Sequence, residues 1–191
     1  MIQDGKITPL IIALPDMSRG WFNRADGNIA PFDDYLIREI IPFIDTTFNT
    51  VPFREARAIA GHSIGGYDSV YIILTHPDMF SLAGGYVAHF DGGVLPEALL
   101  KSHNQKLYPI EFWVYVGIND PNEFSYNRKF SDILLELSIP HIYVEDEGDH
   151  ESTIAQRLEE SIIFFSKFLN GTVVSVNSSD KLTSTWGKIK Q

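Results

Sequence analysis

The 191-residue sequence predicts an α/β fold: a mostly parallel sheet covered on both faces by helices, in a three-layer α/β/α arrangement. Three observations carry that expectation. Short apolar runs recur without clean alternation, which suits strands buried on both faces. Segments with a helical period separate most of them, and strand–helix alternation builds parallel sheets through right-handed crossovers. One strand-to-helix junction holds a serine among glycines, Gly61-His62-Ser63-Ile64-Gly65-Gly66.

Taken in order, residues 9–14, 56–60, 82–88, 110–116 and 141–144 read as five strands. Residues 32–48 read as a helix, with Phe32, Leu36, Ile40, Ile44 and Phe48 forming one apolar stripe. Pro42 interrupts that stripe as a kink site. Further helices are expected over residues 64–75, 125–137 and 152–169. The stretch 91–109 is rich in Gly and Pro around a short helical patch at 96–101, a place for a substrate-pocket excursion between two strands. Residues 1–170 are expected to form one domain. Residues 171–191 turn to Ser, Thr, Asn and Lys and read as a tail or linker, with 172–176 as an extra strand candidate.

Composition narrows the function. A net charge of −10 offers no basic patch for phosphates, so a nucleic-acid partner is not expected. With no cysteine, thiolate catalysis, disulfides and Cys-type zinc sites are excluded. No apolar run reaches the roughly 20 residues of a transmembrane helix, and the start MIQDGKITPLIIALPD lacks the pattern of a signal peptide, so a soluble product is expected. The acidic stretch from His141 to Glu151 matches no compact metal-ligand spacing and reads as a solvated loop. No metal or cofactor is expected.

The chemistry centres on Ser63. A serine on a tight turn between strand and helix is held strained, with its hydroxyl above the sheet. Side chains at the flanking glycines are expected to collide with the neighbouring strand and helix. The Ile64 amide, at the helix start, is the expected oxyanion donor. The base should lie in the loop after the last strand, where His150 sits. The acid that orients it should follow the fourth strand, where Asp120 is the choice and Glu123 the fallback. Asp146 and Asp149 are sequence neighbours of His150 and are ranked below both. His62, His89 and Trp21 are candidate pocket residues, although a side chain at His62, inside the turn, is also expected to point away from the pocket.

With these residues in place, the sequence resembles the esterase D-like branch of the α/β hydrolases, the putative esterase family. The resemblance rests on Pro9-Leu-Ile-Ile-Ala-Leu-Pro-Asp16, Glu39-Ile-Ile-Pro-Phe-Ile-Asp45, Arg57-Ala-Ile-Ala-Gly-His-Ser-Ile-Gly-Gly-Tyr67, His76-Pro-Asp-Met-Phe80, Val116-Gly117 with Asp120, and Gly148-Asp-His150. It implies a serine-dependent carboxylic-ester hydrolase that works through an acyl-enzyme on a small or carbohydrate-linked ester. That branch includes S-formylglutathione hydrolases, feruloyl and acetylxylan esterases, and mycolyltransferases.

Two departures stand out. The base turn is Gly148-Asp149-His150-Glu151, without the aromatic residue that family members usually carry. The strands and His-Gly-type loop that in the family usually precede the segment matching Leu14-Pro15-Asp16, and supply the second oxyanion donor, have no counterpart in residues 1–13. The chain is therefore expected either to be a fragment of a longer product or to draw that donor from the backbone of Met17 or Ser18. Direct pairing of strand 9–14 with the strand before Ser63 is expected, giving five strands, with self-association as an accompaniment. The tail resembles linkers ahead of secretion modules in exported bacterial enzymes, so a place in a secreted multi-module esterase is one expectation. Two other functions stay open: a binding domain with an incomplete oxyanion hole, and a peptidase or acyltransferase using the same three residues.

Overall fold

The computed structural model describes residues 2–15, 30–90 and 95–170. The elements are α1 (Ala30–Tyr35), a π turn (Leu36–Ile40), α2 (Ile41–Thr47), a short 3₁₀ turn (Arg54–Ala56), β1 (Ala58–His62), α3 (Ile64–Thr75), β2 (Leu82–Tyr86), α4 (Glu97–Ser102), β3 (Glu111–Gly117), α5 (Phe124–Glu136), β4 (His141–Asp146) and α6 (Ile154–Asn170). The four strands lie in the order β1-β2-β3-β4 and every pairing is parallel.

The sheet is covered on both sides because its central strands alternate between two apolar clusters. Phe112 and Val114 of β3 join Phe32, Leu36, Ile72, Ile73, Phe130 and Leu134 under α1, α3 and α5. Trp113 and Tyr115 face the other way, with Leu82, Tyr86 and Phe165 beneath α6. β2 is Leu82-Ala-Gly-Gly-Tyr86, and its glycines admit neighbours at backbone distance. A Cβ on Gly84 would lie 2.8 Å from the Phe165 ring.

The expected helix 32–48 is continuous but not uniform. Pro42 has no N–H to donate, and the chain widens into the π turn just before it, where the Ile41 amide bonds the Leu36 carbonyl. That extra residue rotates the stripe. Phe32 and Leu36 are buried, whereas Phe48 is exposed. Asp33 of α1 is also buried, 3.6 Å from His76 Nε2, and burial pushes its carboxyl up to about 6.

Residues 9–14 depart from expectation. They form no strand and run as coil, with Ile11, Ile12 and Leu14 exposed. The stretch is tethered near its start to α6, where the Thr8 amide donates to Ser166 Oγ at 2.8 Å. Among the described residues β1 is an edge of a four-stranded sheet, and the predicted direct pairing is not made. An apolar run has strand composition, but a strand exists only where a partner offers its ladder of hydrogen bonds. The tail 171–191, with the strand candidate 172–176, lies outside the described residues. Among those described, no helix is long and apolar enough to cross a membrane.

Candidate active site

β1 ends at His62, and Ser63 turns the chain into α3 with φ 54 and ψ −117. This left-handed conformation is uncommon and strained for a residue with a Cβ. The backbone around it fixes the turn. The Ser63 amide donates to the Tyr86 carbonyl at 2.9 Å, and its own carbonyl accepts from Gly66, Tyr67 and His89 amides at 3.0, 3.1 and 2.9 Å. Gly61 is required, because a Cβ there would stand 2.3 Å from the Gly65 backbone. Gly66 is nearly so, with Ala88 Cα and the Gly61 carbonyl at 3.0 Å. Gly65 differs from the expectation: among the described residues its Cβ would meet nothing within 4 Å. Ile64 opens α3 directly after Ser63, where the helix dipole favours a negative oxygen.

Two loops converge on this serine. Gly117, at the end of β3, and Gly148, after β4, lie so close that a Cβ on Gly117 would be 2.2 Å from the Gly148 carbonyl oxygen. The Ile118 amide bonds the Asp146 carbonyl at 2.8 Å, and Asn119 bonds the Gly148 carbonyl at 3.0 Å. The loop after β3 then delivers Asp120, and the loop after β4 delivers His150. His150 Nδ1 lies 2.6 Å from Asp120 Oδ2, and His150 Nε2 lies 3.0 Å from Ser63 Oγ. A cleft of about 370 Å³ runs beside this contact, lined by Asn119, Asp120, Pro121, Asn122, Asp149, His150 and Glu151.

Asp120 is buried, and burial alone would raise its carboxyl. Hydrogen bonds from the Glu123 amide, His150 and the Asn122 amide outweigh that effect and hold it below the usual carboxylate range. It is therefore an anion beside an imidazole, the arrangement that fixes the Nδ1–H tautomer and leaves Nε2 as a proton acceptor for the serine.

The other carboxylates considered from sequence are occupied elsewhere. Asp149 Oδ1 accepts the Glu151 and Ser152 amides at 3.0 and 2.9 Å and shapes the base turn. Those bonds hold its carboxyl below the usual range. Asp146 accepts the Gly148 amide at 2.7 Å and pairs with Arg157 at 2.8 Å. Glu123 lies 2.6 Å from His89 Nδ1, so the fallback acid serves a different histidine. His62 Nε2–H donates to the His150 carbonyl at 2.8 Å, with the two rings 4.9 Å apart. It steadies the loop that carries His150, and neither His62 nor His89, both candidates for the pocket, is among the residues that line the cleft. Met17, Ser18 and Trp21 lie outside the described residues. Among those described, no three His, Asp or Glu residues are grouped to hold a metal ion.

Sequence reasoning missed the linked glycines Gly117 and Gly148 as positioning elements, and missed Asn127. Asn127 is fully buried and clamps Ala88 through both backbone groups. Its only trace in the sequence is an amide one helical turn after Glu123.

The family described as Putative esterase matches residues 21–135, more than half of the chain. The chain belongs to this esterase family. Among curated relatives, an endo-1,4-beta-xylanase/feruloyl esterase of Xylanibacter ruminicola is 32% identical over 126 residues, covering 63% of this chain. The match spans 16% of that relative's length. An esterase of Mycobacterium tuberculosis is 28% identical over 82 residues, 41% of this chain and 18% of the relative. The fold is shared with a ferulic acid esterase at TM-score 0.72 and 18% identity, covering 87% of this chain and 74% of that one. It is shared also with a ferulic acid esterase of the fungus Anaeromyces mucronatus at TM-score 0.70 and 19% identity, covering 88% and 69%. The architecture of this esterase family member is thus the α/β-hydrolase fold, with a parallel sheet, four-stranded among the described residues, between helices.

Proposed function

We propose that this chain is a serine-dependent carboxylic-ester hydrolase in which Ser63 is the nucleophile, His150 the general base and Asp120 the orienting acid. The observation that carries this reading is the unbroken line Ser63 Oγ–His150 Nε2, His150 Nδ1–Asp120 Oδ2, at 3.0 and 2.6 Å. His150 Nε2 takes the hydroxyl proton as Ser63 Oγ attacks the ester carbonyl carbon. The tetrahedral oxygen carries the negative charge next to the Ile64 amide and the start of α3. Collapse breaks the bond to the alcohol, which leaves with the proton from imidazolium. Water then gives its proton to His150, attacks the acyl-enzyme, and the acid departs as Ser63 regains its proton. Met17, ahead of α1 in sequence, is the candidate second oxyanion donor.

A carbohydrate-linked or small aromatic ester is the substrate class this reading favours, supported by the xylanase/feruloyl esterase relative and the ferulic acid esterase folds. The test is a burst of p-nitrophenol from p-nitrophenyl acetate, followed by acetyl, butyryl, feruloyl and thioester substrates. Ser63→Ala should lose about 10⁶ in kcat while the circular dichroism spectrum is unchanged. Near-normal turnover in purified Ser63→Ala protein rejects the assignment, and a wild type that gives no p-nitrophenol leaves the binding-domain reading.

A further inference from the structure

Val87 follows β2 with φ 48, a left-handed conformation that a β-branched residue adopts only when its surroundings impose it. The residues after it bend back over the serine turn, and the His89 amide donates to the Ser63 carbonyl at 2.9 Å. Two side chains one helical turn apart hold this bend. Asn127 accepts the Ala88 amide at 3.1 Å and donates to the Ala88 carbonyl at 2.9 Å. Glu123 takes the next two residues: Oε2 accepts the Phe90 amide at 3.1 Å, and Oε1 lies 2.6 Å from His89 Nδ1. The Glu123 amide in turn donates to Asp120 Oδ1 at 3.0 Å. One short turn therefore carries two carboxylates, each set 2.6 Å from the Nδ1 of a different histidine.

We propose that His89 and Glu123 form a second histidine–carboxylate pair whose task is to position Ser63, acting through the strained bend at Val87. The proposal rests on Ser63 being the nucleophile. His150 meets the serine hydroxyl, whereas His89 meets the serine backbone. A carboxylate is needed at Glu123, since both of its oxygens accept from N–H donors; an amide has one acceptor and sets its NH₂ against the other donor. The Glu123 side chain is 3% exposed, so water does not replace a lost partner there. Without the clamp, Val87 relaxes from positive φ, the His89 amide leaves the Ser63 carbonyl, and Oγ shifts relative to His150. A misplacement of about 1 Å by a change away from the chemistry costs on the order of 10²-fold.

The experiment uses the full chain as wild type, Ser63→Ala, His89→Leu, His89→Asn and Glu123→Gln, with p-nitrophenyl acetate as substrate. His89→Leu and Glu123→Gln are expected to lose roughly 10- to 100-fold in kcat with KM within about threefold of wild type, since the substrate-contacting groups stay in place. His89→Asn sets an amide N–H where Nδ1–H stood, and it is expected to regain most of the loss. Nitrogen-15 NMR of the wild-type imidazoles is expected to show a proton on His89 Nδ1, a result that does not depend on any variant folding. Wild-type kcat in His89→Leu, equal losses in the Leu and Asn variants, or a bare Nδ1 at His89 overturns the proposal. Should wild type turn over, Ser63→Ala be dead and His89→Leu be unchanged, only the positioning role fails. An inert wild type removes the nucleophile assignment itself, and the positioning role with it.

Discussion

Replacing Gly117 by alanine tests how Asp120 and His150 are brought together. The added Cβ would stand 2.2 Å from the Gly148 carbonyl oxygen, 2.4 Å from its carbon and 2.8 Å from the Asp149 carbonyl oxygen. Ordinary contact begins at 3.4 Å, and all three atoms are backbone, so no side chain can swing aside. The loops after β3 and β4 must part by about 1 Å, and the 2.6 Å contact between Asp120 and His150 opens with them. A shift of that size costs about 10² in kcat, and overpacking of this kind costs about 1–3 kcal/mol of stability. The assay is kcat on p-nitrophenyl acetate, normalised to titratable serine, with thermal unfolding followed by circular dichroism. Wild-type kcat with an unchanged Tm would refute the reasoning. Gly65→Ala is the companion, because its Cβ meets nothing within 4 Å among the described residues and alanine favours a helix by up to about 1 kcal/mol. It should keep turnover, even though Gly65 belongs to the glycine pattern around the serine.

Three further outcomes are expected. Asp120→Asn should lose roughly 10⁴ in kcat, since the amide favours the wrong imidazole tautomer; a loss below tenfold would mean that another group orients His150. Asp120 is held below the usual carboxylate range, so its own protonation should add no limb to the kcat/KM profile within that range. An acid limb inside the usual carboxylate range that disappears in Asp120→Asn would contradict it. Asp33 is shifted the other way, to about 6. Between about pH 4 and that value the folded chain holds a proton that the unfolded chain has released, so stability falls as pH rises through this window. Asp33→Asn should remove that slope, and a denaturant-midpoint difference from wild type that is constant with pH would contradict it.

How much was legible in advance differs between local and distant relations. Composition and period placed β1, β3 and β4 to within about two residues and α3 at its observed bounds, because short apolar runs bounded by turn residues leave their pattern in consecutive residues. Ser63 was legible for the same reason: the strand, the turn glycine Gly61 and the helix lie side by side in the chain. The order serine, acid, histidine along alternating strands made His150 the expected base and Asp120 the expected acid, with Glu123, in the same turn, as the fallback. Only the tertiary structure shows which carboxylate lies beside which histidine: with Gly117 close against Gly148, Asp120 meets His150, while Glu123 meets His89 beside the bend at Val87. It also decided that residues 9–14, strand-like in composition, remain coil, and that Gly65 faces open space among the described residues while Gly66 packs against Ala88. Propensity and spacing act over a few neighbouring residues, whereas pairing partners, close backbone approaches and the division of two carboxylates between two histidines depend on segments far apart in the chain.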